Sequence, residues 1–187
     1  MTPNPDATDA TDATDAARWQ DEVFGLLKAA GVRQVAWVPD AGHARVIERA
    51  LADPAMIGVP LTTEEEGVAL ACGAWLGGDR AVLLMQSSGV GNCVNMLSLV
   101  AAGRFPFLAL VTMRGEWEEL NEWQVPMGRA TQPVLEAMGV RVLRADAPGE
   151  VRPALGEALD AAFGANGAVA VLLGQRLVGR KEWGEVR

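Results

Sequence analysis

The sequence predicts an α/β fold, a three-layer αβα sandwich around a doubly wound, mainly parallel sheet of six strands. Short apolar segments alternate with segments of about 10 to 15 residues in which apolar side chains recur at helical spacing, a pattern typical of βαβ units. Residues 81–86 and 107–112 are apolar almost throughout. Such segments are expected of central strands that are covered by helices on both faces.

Glycines, prolines and a capping pattern set the bounds of the predicted elements. Gly31 follows the first helical segment as a C-cap, Pro39 closes the first strand, and Gly139 ends a later helix. Thr63 and Glu66 fit a capping box at the start of the third helix. In chain order, the predicted elements are a helix over 19–30, a strand over 32–38, a helix over 43–52, a strand over 57–61, a helix over 63–76, a strand over 81–86, a turn over 87–91, a helix over 92–102, a strand over 107–112, a loop over 113–125, a helix over 131–138, a strand over 140–144, a helix over 149–163 and a strand over 168–173.

Length and charge limit the class of protein. The 187 residues suit one domain, and 16 basic against 24 acidic residues give a net charge of -8. That charge argues against nucleic-acid binding and against an anionic membrane surface. The sequence has neither a membrane-spanning apolar run nor a secretory signal pattern. We expect a cytoplasmic protein with no nucleic-acid or membrane partner, in which the acidic repeat over 1–15 is a disordered tail and 16–187 form one domain.

The two cysteines and the histidine do not predict a metal site. Cys72 and Cys93 both stand among apolar residues in helical segments, so we interpret them as reduced core thiols. His43 is the only histidine, and a zinc site built from His and Cys would have at most three such ligands. We therefore expect no metal ligands in this chain.

Two polar segments follow predicted strands, at the edge where parallel sheets bind ligands. Residues 62–67 read TTEEEG. These carboxylates either stabilise a helix N-terminus or, because the following helix is apolar enough to be buried, include a partly desolvated group that handles protons. Residues 86–92 read QSSGVGN, whose glycines indicate either close approach to a ligand or tight packing, without the lysine of a Walker A loop.

Together these segments resemble the pyrimidine-binding (PYR) domain of thiamine diphosphate-dependent decarboxylases. The resemblance is to the alpha subunit of sulfopyruvate decarboxylase and to the matching domain of phosphonopyruvate decarboxylase, and it covers most of the chain after the tail. The motifs that carry it stand in the family's order: VPDAGH at 38–43, TTEEEGVALACGAWL at 62–76, LLMQSSGVGNCVNMLSL at 83–99, FPFLALVTMRGE at 105–116 and WQVPMGRATQPVLEAMGV at 123–140.

The resemblance implies a catalytic glutamate and a cofactor-binding loop. In this family, one glutamate at the head of the helix hydrogen-bonds N1′ of the aminopyrimidine and exchanges a proton with it. The family's spacing from Gly73 assigns this role to Glu64, with Glu65 as the alternative if the register shifts by one residue. The residues that correspond to the cofactor-binding loop are Ser88, Gly89, Gly91 and Asn92.

The resemblance also implies a partner subunit. The family binds diphosphate and Mg²⁺ through a Gly-Asp-Gly motif and a downstream asparagine, but residues 78–80 here read Gly-Asp-Arg. The chain is therefore expected to supply half of an active site. A beta subunit with the Gly-Asp-Gly motif would hold the diphosphate and the Mg²⁺, in a heterotetramer or a larger assembly.

A small 2-oxo acid is the implied substrate. Asp40 matches a VPDS-like loop of phosphonopyruvate decarboxylases, and Arg114 and Arg129 could pair with an anionic head group, with the partner subunit or with neither. The predicted substrate contacts are Asp40, His43, Gln86 and Arg114.

Two alternative functions stay open for the whole chain. It could be the PYR subunit of a carboligase related to acetolactate synthases, or a non-catalytic α/β module that binds a nucleotide.

Overall fold

The computed structural model describes residues 19–179, and the predicted tail over 1–15 lies outside them. Within the described residues there is one sheet, whose strands are β1 (Val32–Trp37), β2 (Ile57–Pro60), β3 (Arg80–Gln86), β4 (Phe107–Thr112), β5 (Arg141–Ala145) and β6 (Ala168–Leu173). The spatial order is β2-β1-β3-β4-β6-β5, and all five neighbouring pairs are parallel. The predicted fold class is confirmed, with a sheet that is entirely parallel.

Helices cover both faces of this sheet, as the apolar strands require. They are α1 (residues 19–29 of the described part), α2 (Ala44–Ala52), α3 (Glu64–Leu76), α4 (Ser87–Cys93), α5 (Leu97–Gly103), α6 (Val125–Ala137), α7 (Pro148–Leu159) and α8 (Gln175–Val178). Val82 and Leu84 of β3 pack in one core with α1, α2 and α7, while Leu83 and Met85 pack in a second core with α3, α4, α5 and α6. The sheet is thus the middle layer of three.

The strand order fixes where a ligand can bind. The chain passes from β1 outward to β2 and then back across β1 to β3, so the direction of winding reverses beside β1. In doubly wound sheets, ligands bind at the carboxyl ends of the strands beside such a reversal. Gln86 pairs with Thr112 in the register of β3 and β4, so the residues that end these strands stand side by side.

The segment after β3 departs from its predicted form. We predicted a turn over 87–91 followed by a helix over 92–102, but α4 begins at Ser87 directly after the strand, and residues 94–96 separate it from α5. Neither Gly89 nor Gly91 has a positive φ. The low helix propensity of glycine suggested a turn, whereas the structure places both glycines inside a helix.

Other bounds differ in smaller ways. Helix α6 begins at Val125 rather than 131, with Pro126 in its first turn, where proline is tolerated. Helix α7 ends at Leu159 and continues as one π-turn over Asp160–Gly164, and the short α8 had no prediction. Gly31 has φ 71°, as expected of a C-cap.

No helix within 19–179 is long and apolar enough to cross a membrane.

Candidate active site

The carboxyl ends of β1, β3 and β4 surround a small cavity. Its volume is about 140 Å³, and its walls include Asp40, Gln86, Thr112 and Arg114. Three of the four predicted substrate contacts therefore lie around one space. Glu64 approaches the same end of the sheet from the head of α3.

Glu64 is the first residue of α3 and is 8% exposed. Its Oε2 accepts a hydrogen bond from Nδ2 of Asn92 at 2.7 Å, which is the only hydrogen bond to this carboxylate from the described residues. Glu64 forms no ion pair within 19–179. The structure thus brings together a nearly buried carboxylate and one residue of the predicted cofactor loop.

Gly89 allows Glu64 to occupy this position. A Cβ at residue 89 would lie 2.4 Å from both Cδ and Oε1 of Glu64, closer than real Cβ contacts. The glycine is therefore required by the close approach of the glutamate to α4 and not by a special backbone angle. Gly91 differs, because a Cβ there would make only ordinary contacts with Met127, at 3.6 Å from Sδ and 3.7 Å from Cε.

The neighbouring glutamates have other partners. Glu65 accepts a hydrogen bond from the hydroxyl of Thr63, which lowers the pKa of the Glu65 carboxyl. Glu66 accepts a hydrogen bond from the backbone N–H of Thr62 at 2.9 Å. The predicted capping box is wrong in detail, because the Thr63 side chain bonds Glu65 instead of capping the backbone of α3. Of the three glutamates, Glu64 is the one packed against α4.

Asp40 is held by the protein on both oxygens. Its Oδ1 accepts a hydrogen bond from the N–H of Gly42 at 3.2 Å, and its Oδ2 accepts one from the hydroxyl of Thr112. These bonds fix the Asp40 side chain at the wall of the cavity. Gln86 accepts a hydrogen bond from the hydroxyl of Ser88 at 2.9 Å, so Ser88 organises the same wall.

His43 is fully buried and is not among the residues around the cavity. Its Nε2 lies 3.1 Å from the carbonyl oxygen of Leu110, which can only accept, so Nε2 carries the proton. Burial lowers the pKa of the imidazole, which favours the neutral form. This environment favours a structural role, and contact between His43 and a substrate stays a prediction.

Arg114 forms an ion pair that its sequence position did not indicate. Its Nε donates to Oε2 of Glu119 at 2.7 Å, and its Nη2 donates to Oε1 of the same carboxylate. The bond to Arg114 is the main reason why the pKa of Glu119 falls to about 2. Arg129, in contrast, is exposed beside the surface cavity that includes Trp117 and Pro126.

Comparison with known proteins identifies the family. The sequence is 40% identical to sulfopyruvate decarboxylase subunit alpha of Methanothermobacter thermautotrophicus, over 82% of this chain and 93% of that protein. It is 33% identical to the same subunit of Methanococcus maripaludis, over 82% of this chain and 92% of that protein. The chain belongs to the sulfopyruvate decarboxylase alpha-subunit family. No protein-family model matches the sequence.

The chain is also similar to one other decarboxylase in sequence and to one solved structure in fold. Phosphonopyruvate decarboxylase of Streptomyces viridochromogenes is 41% identical over 62% of this chain and 30% of that protein. A solved structure of 2-oxoglutarate:ferredoxin oxidoreductase from Magnetococcus marinus superposes with a TM-score of 0.67 and 14% identity, covering 90% of this chain and 34% of that one. The second similarity concerns the fold alone.

Two polar residues at the alpha subunit's site, Glu119 and Thr112, were not predicted from the sequence. Glu119 stands among Glu116, Glu118 and Glu122, and nothing in that run marks it as the partner of Arg114. Thr112 could have been found, because it ends a predicted strand beside the strand that ends at Gln86.

The two thiols of the alpha subunit lie in its core, as predicted. Cys72 and Cys93 are buried and free, and burial raises the pKa of Cys93 to about 12. Both therefore stay protonated at neutral pH. Within 19–179, no group of three or more His, Cys, Asp or Glu residues could hold a metal ion.

Proposed function

We propose that this chain is the alpha, pyrimidine-binding subunit of a two-subunit, thiamine diphosphate-dependent decarboxylase that acts on sulfopyruvate or phosphonopyruvate. The observation that carries the proposal is the Glu64 carboxylate. It is nearly buried at the ligand-binding end of the sheet, and it accepts one hydrogen bond from the described residues.

The residues around Glu64 fit an aminopyrimidine. Asn92 bonds Oε2, while Oε1 lies beside Gly89 and accepts no hydrogen bond from residues 19–179, so we propose that it receives one from a ring nitrogen. Because the carboxylate is largely shielded from water, a hydrogen bond to a ring nitrogen there would be stronger than in solution. Glu64 would share a proton with N1′ of the pyrimidine, Asn92 would hold the carboxylate, and Gly89 would leave space for it.

The bound cofactor would supply the nucleophile and the electron sink for loss of CO₂ from a 2-oxo acid. The protein groups would supply orientation and one proton-exchange site. Asp40 and Gln86 line the adjacent cavity, so we propose that they contact the substrate.

Diphosphate and Mg²⁺ are assigned to the partner subunit in this proposal. Asp79, the acidic residue of the Gly-Asp-Arg segment, accepts hydrogen bonds from Arg33 Nη1 at 3.1 Å and Gln34 Nε2 at 3.0 Å. It precedes β3 and so lies at the opposite end of the sheet from Glu64. A beta subunit with a Gly-Asp-Gly motif would complete the active site.

We propose an assembly of two alpha and two beta subunits, and exposed apolar residues support a contact surface on this chain. Leu76 of α3 is 75% exposed and Leu99 of α5 is 42% exposed. Both helices lie on the face of the sheet that carries Glu64. The proposed location is the cytoplasm, which the two free thiols support.

The test is turnover by the alpha subunit assembled with its beta partner. Glu64→Gln should lower the release of CO₂ from sulfopyruvate by a factor of roughly 10² to 10⁴, the usual cost of losing a proton-transfer group. Glu65→Gln is the matched control and should cost much less. If Glu65→Gln were the inactive variant and Glu64→Gln stayed active, the assignment of the glutamate would be wrong.

The alpha subunit alone should be inactive and should bind thiamine diphosphate and Mg²⁺ weakly, because it lacks the diphosphate motif. Calorimetry on the isolated chain measures this directly. Tight, Mg²⁺-dependent binding without a partner would contradict the proposed division of the active site.

A further inference from the structure

We propose that Arg114 binds the tetrahedral oxyanion of the substrate, a sulfonate or phosphonate group on C3 of the 2-oxo acid. The contact would be made by the edge of the guanidinium that Nη1 and Nη2 form. This inference rests on the proposed function and adds to it the residue that recognises the head group.

Glu119 fixes the guanidinium without using all of its donors. The carboxylate binds the Nε and Nη2 edge of Arg114, and it also accepts hydrogen bonds from the N–H groups of Gly115 (3.1 Å) and Asn121 (3.0 Å) and from Nε2 of Gln175 (3.0 Å). Nη1 of Arg114 donates no hydrogen bond to any residue within 19–179. A fixed guanidinium with one open edge is suited to a second planar or tetrahedral anion.

Arg144 demonstrates, in the same molecule, that one guanidinium can bind two anions. Its Nη1 and Nη2 donate to Glu116 at 2.9 and 2.8 Å, while its Nε and Nη2 donate to Asp146 at 2.8 and 2.7 Å. Arg114 pairs with Glu119 through the same two atoms, Nε and Nη2, and no residue within 19–179 takes the position that Glu116 has at Arg144. Arg114 can therefore bind a second anion while it is paired with Glu119.

The surroundings of Arg114 suit a small head group. The side chain is 12% exposed and lines the 140 Å³ cavity at the ends of β1, β3 and β4. That volume is below the roughly 300 Å³ at which whole-ligand pockets begin. Asp40, the carboxylate in the same wall, is bonded to Gly42 and Thr112 and does not pair with Arg114. The cavity can thus hold one end of a substrate whose other end is in the shared active site.

The experiment compares substrates in the assembled enzyme. We expect Arg114→Gln to lower the ratio of kcat/KM for sulfopyruvate to kcat/KM for pyruvate by roughly 10- to 100-fold, the worth of charge-assisted hydrogen bonds. Inorganic sulfate should inhibit the wild-type enzyme competitively and inhibit the variant much more weakly. The double variant Arg114→Gln/Glu119→Gln removes both charges together, so it gives the same comparison if the single variant folds poorly.

Arg144→Gln is the matched control, because both edges of Arg144 are already occupied. It should leave the substrate ratio unchanged. An unchanged ratio in both Arg114 variants, with the wild type active on sulfopyruvate, would overturn this inference and leave the proposed function intact. A wild-type assembly that decarboxylates neither sulfopyruvate nor phosphonopyruvate would instead overturn the proposed function.

Discussion

Glu64 and Glu119 are two nearly buried carboxylates near the same end of the sheet, and they differ in how the protein satisfies them. From residues 19–179, Glu119 accepts five hydrogen bonds, two of them from the guanidinium of Arg114. From the same residues Glu64 accepts one, from the side-chain amide of Asn92. A buried carboxylate that lacks partners is costly to the fold, whereas a saturated one stabilises it.

The hydrogen bonds alone suggest a structural role for Glu119 and a ligand-binding role for Glu64, without reference to any related protein. Saturation of Glu119 indicates a residue that orders the loop over 113–124 and holds Arg114. The Oε1 of Glu64, which accepts no hydrogen bond from residues 19–179, is consistent with the proposed contact to the cofactor. Substitution of Glu119 should therefore lower stability, whereas substitution of Glu64 should lower turnover.

The largest effect on stability is expected from Glu119→Gln. The change removes the charge that pairs with Arg114 and leaves a largely buried cation, which typically costs about 3–5 kcal/mol of unfolding free energy. Glu64 forms no ion pair within 19–179, so Glu64→Gln leaves no described cation unpaired and should change stability by less than about 1 kcal/mol. Urea unfolding of the two variants measures the contrast, and equal losses would remove the distinction between the two carboxylates.

The same pair predicts how stability depends on pH. The pKa of Glu119 is about 2 in the folded chain, against an ordinary value of 4.5. A carboxyl whose pKa is lowered by folding stabilises the fold above its unfolded pKa, and this contribution is lost as the pH falls. The difference in Tm between the wild type and Glu119→Gln should therefore shrink as the pH falls from 4.5 toward 2. A constant difference would contradict the ion pair.

Gly89→Ala should have the next largest effect. The added Cβ would collide with the Glu64 carboxylate, so the overpacked variant should lose about 1–3 kcal/mol of unfolding free energy. It should also lose most of its turnover, since the glutamate must move. Gly91→Ala is the control for stability, because its Cβ makes only an ordinary contact and alanine favours helix. Equal destabilisation by both changes would show that the close contact with Glu64 is not the cause.

Asn92→Ala should have the smallest effect of the series. It removes one hydrogen bond to a carboxylate, worth about 1.5–3 kcal/mol at most because one partner is charged, and less here because Asn92 is exposed. The fold should be nearly unchanged, while turnover by the assembled enzyme should fall by roughly tenfold because Glu64 is less well oriented. Loss of stability without loss of turnover would make Asn92 a purely structural residue.

Local pattern was sufficient to predict the layers but not the contacts between them. The apolar strands and helical periodicity predicted six strands and helices on both faces, and the family motifs pointed to Glu64. The helical start of α4 at Ser87 was not predicted, because the low helix propensity of the two glycines suggested a turn. The close approach of Gly89 to Glu64 could not be predicted either, because it joins two elements that are distant in the chain. The partner of Arg114 could not be predicted either, since the same loop contains four glutamates and no sequence pattern distinguishes one of them.

In the proposed function, Glu64 activates the cofactor by exchanging a proton with its pyrimidine. The most direct measurement is the rate at which the C2 proton of bound thiamine diphosphate exchanges in deuterium oxide, followed by NMR on the assembled enzyme without substrate. Glu64→Gln should slow this exchange by a factor of at least roughly 10² while the affinity for the cofactor falls much less. Exchange at the wild-type rate in Glu64→Gln, with the cofactor bound, would contradict the account.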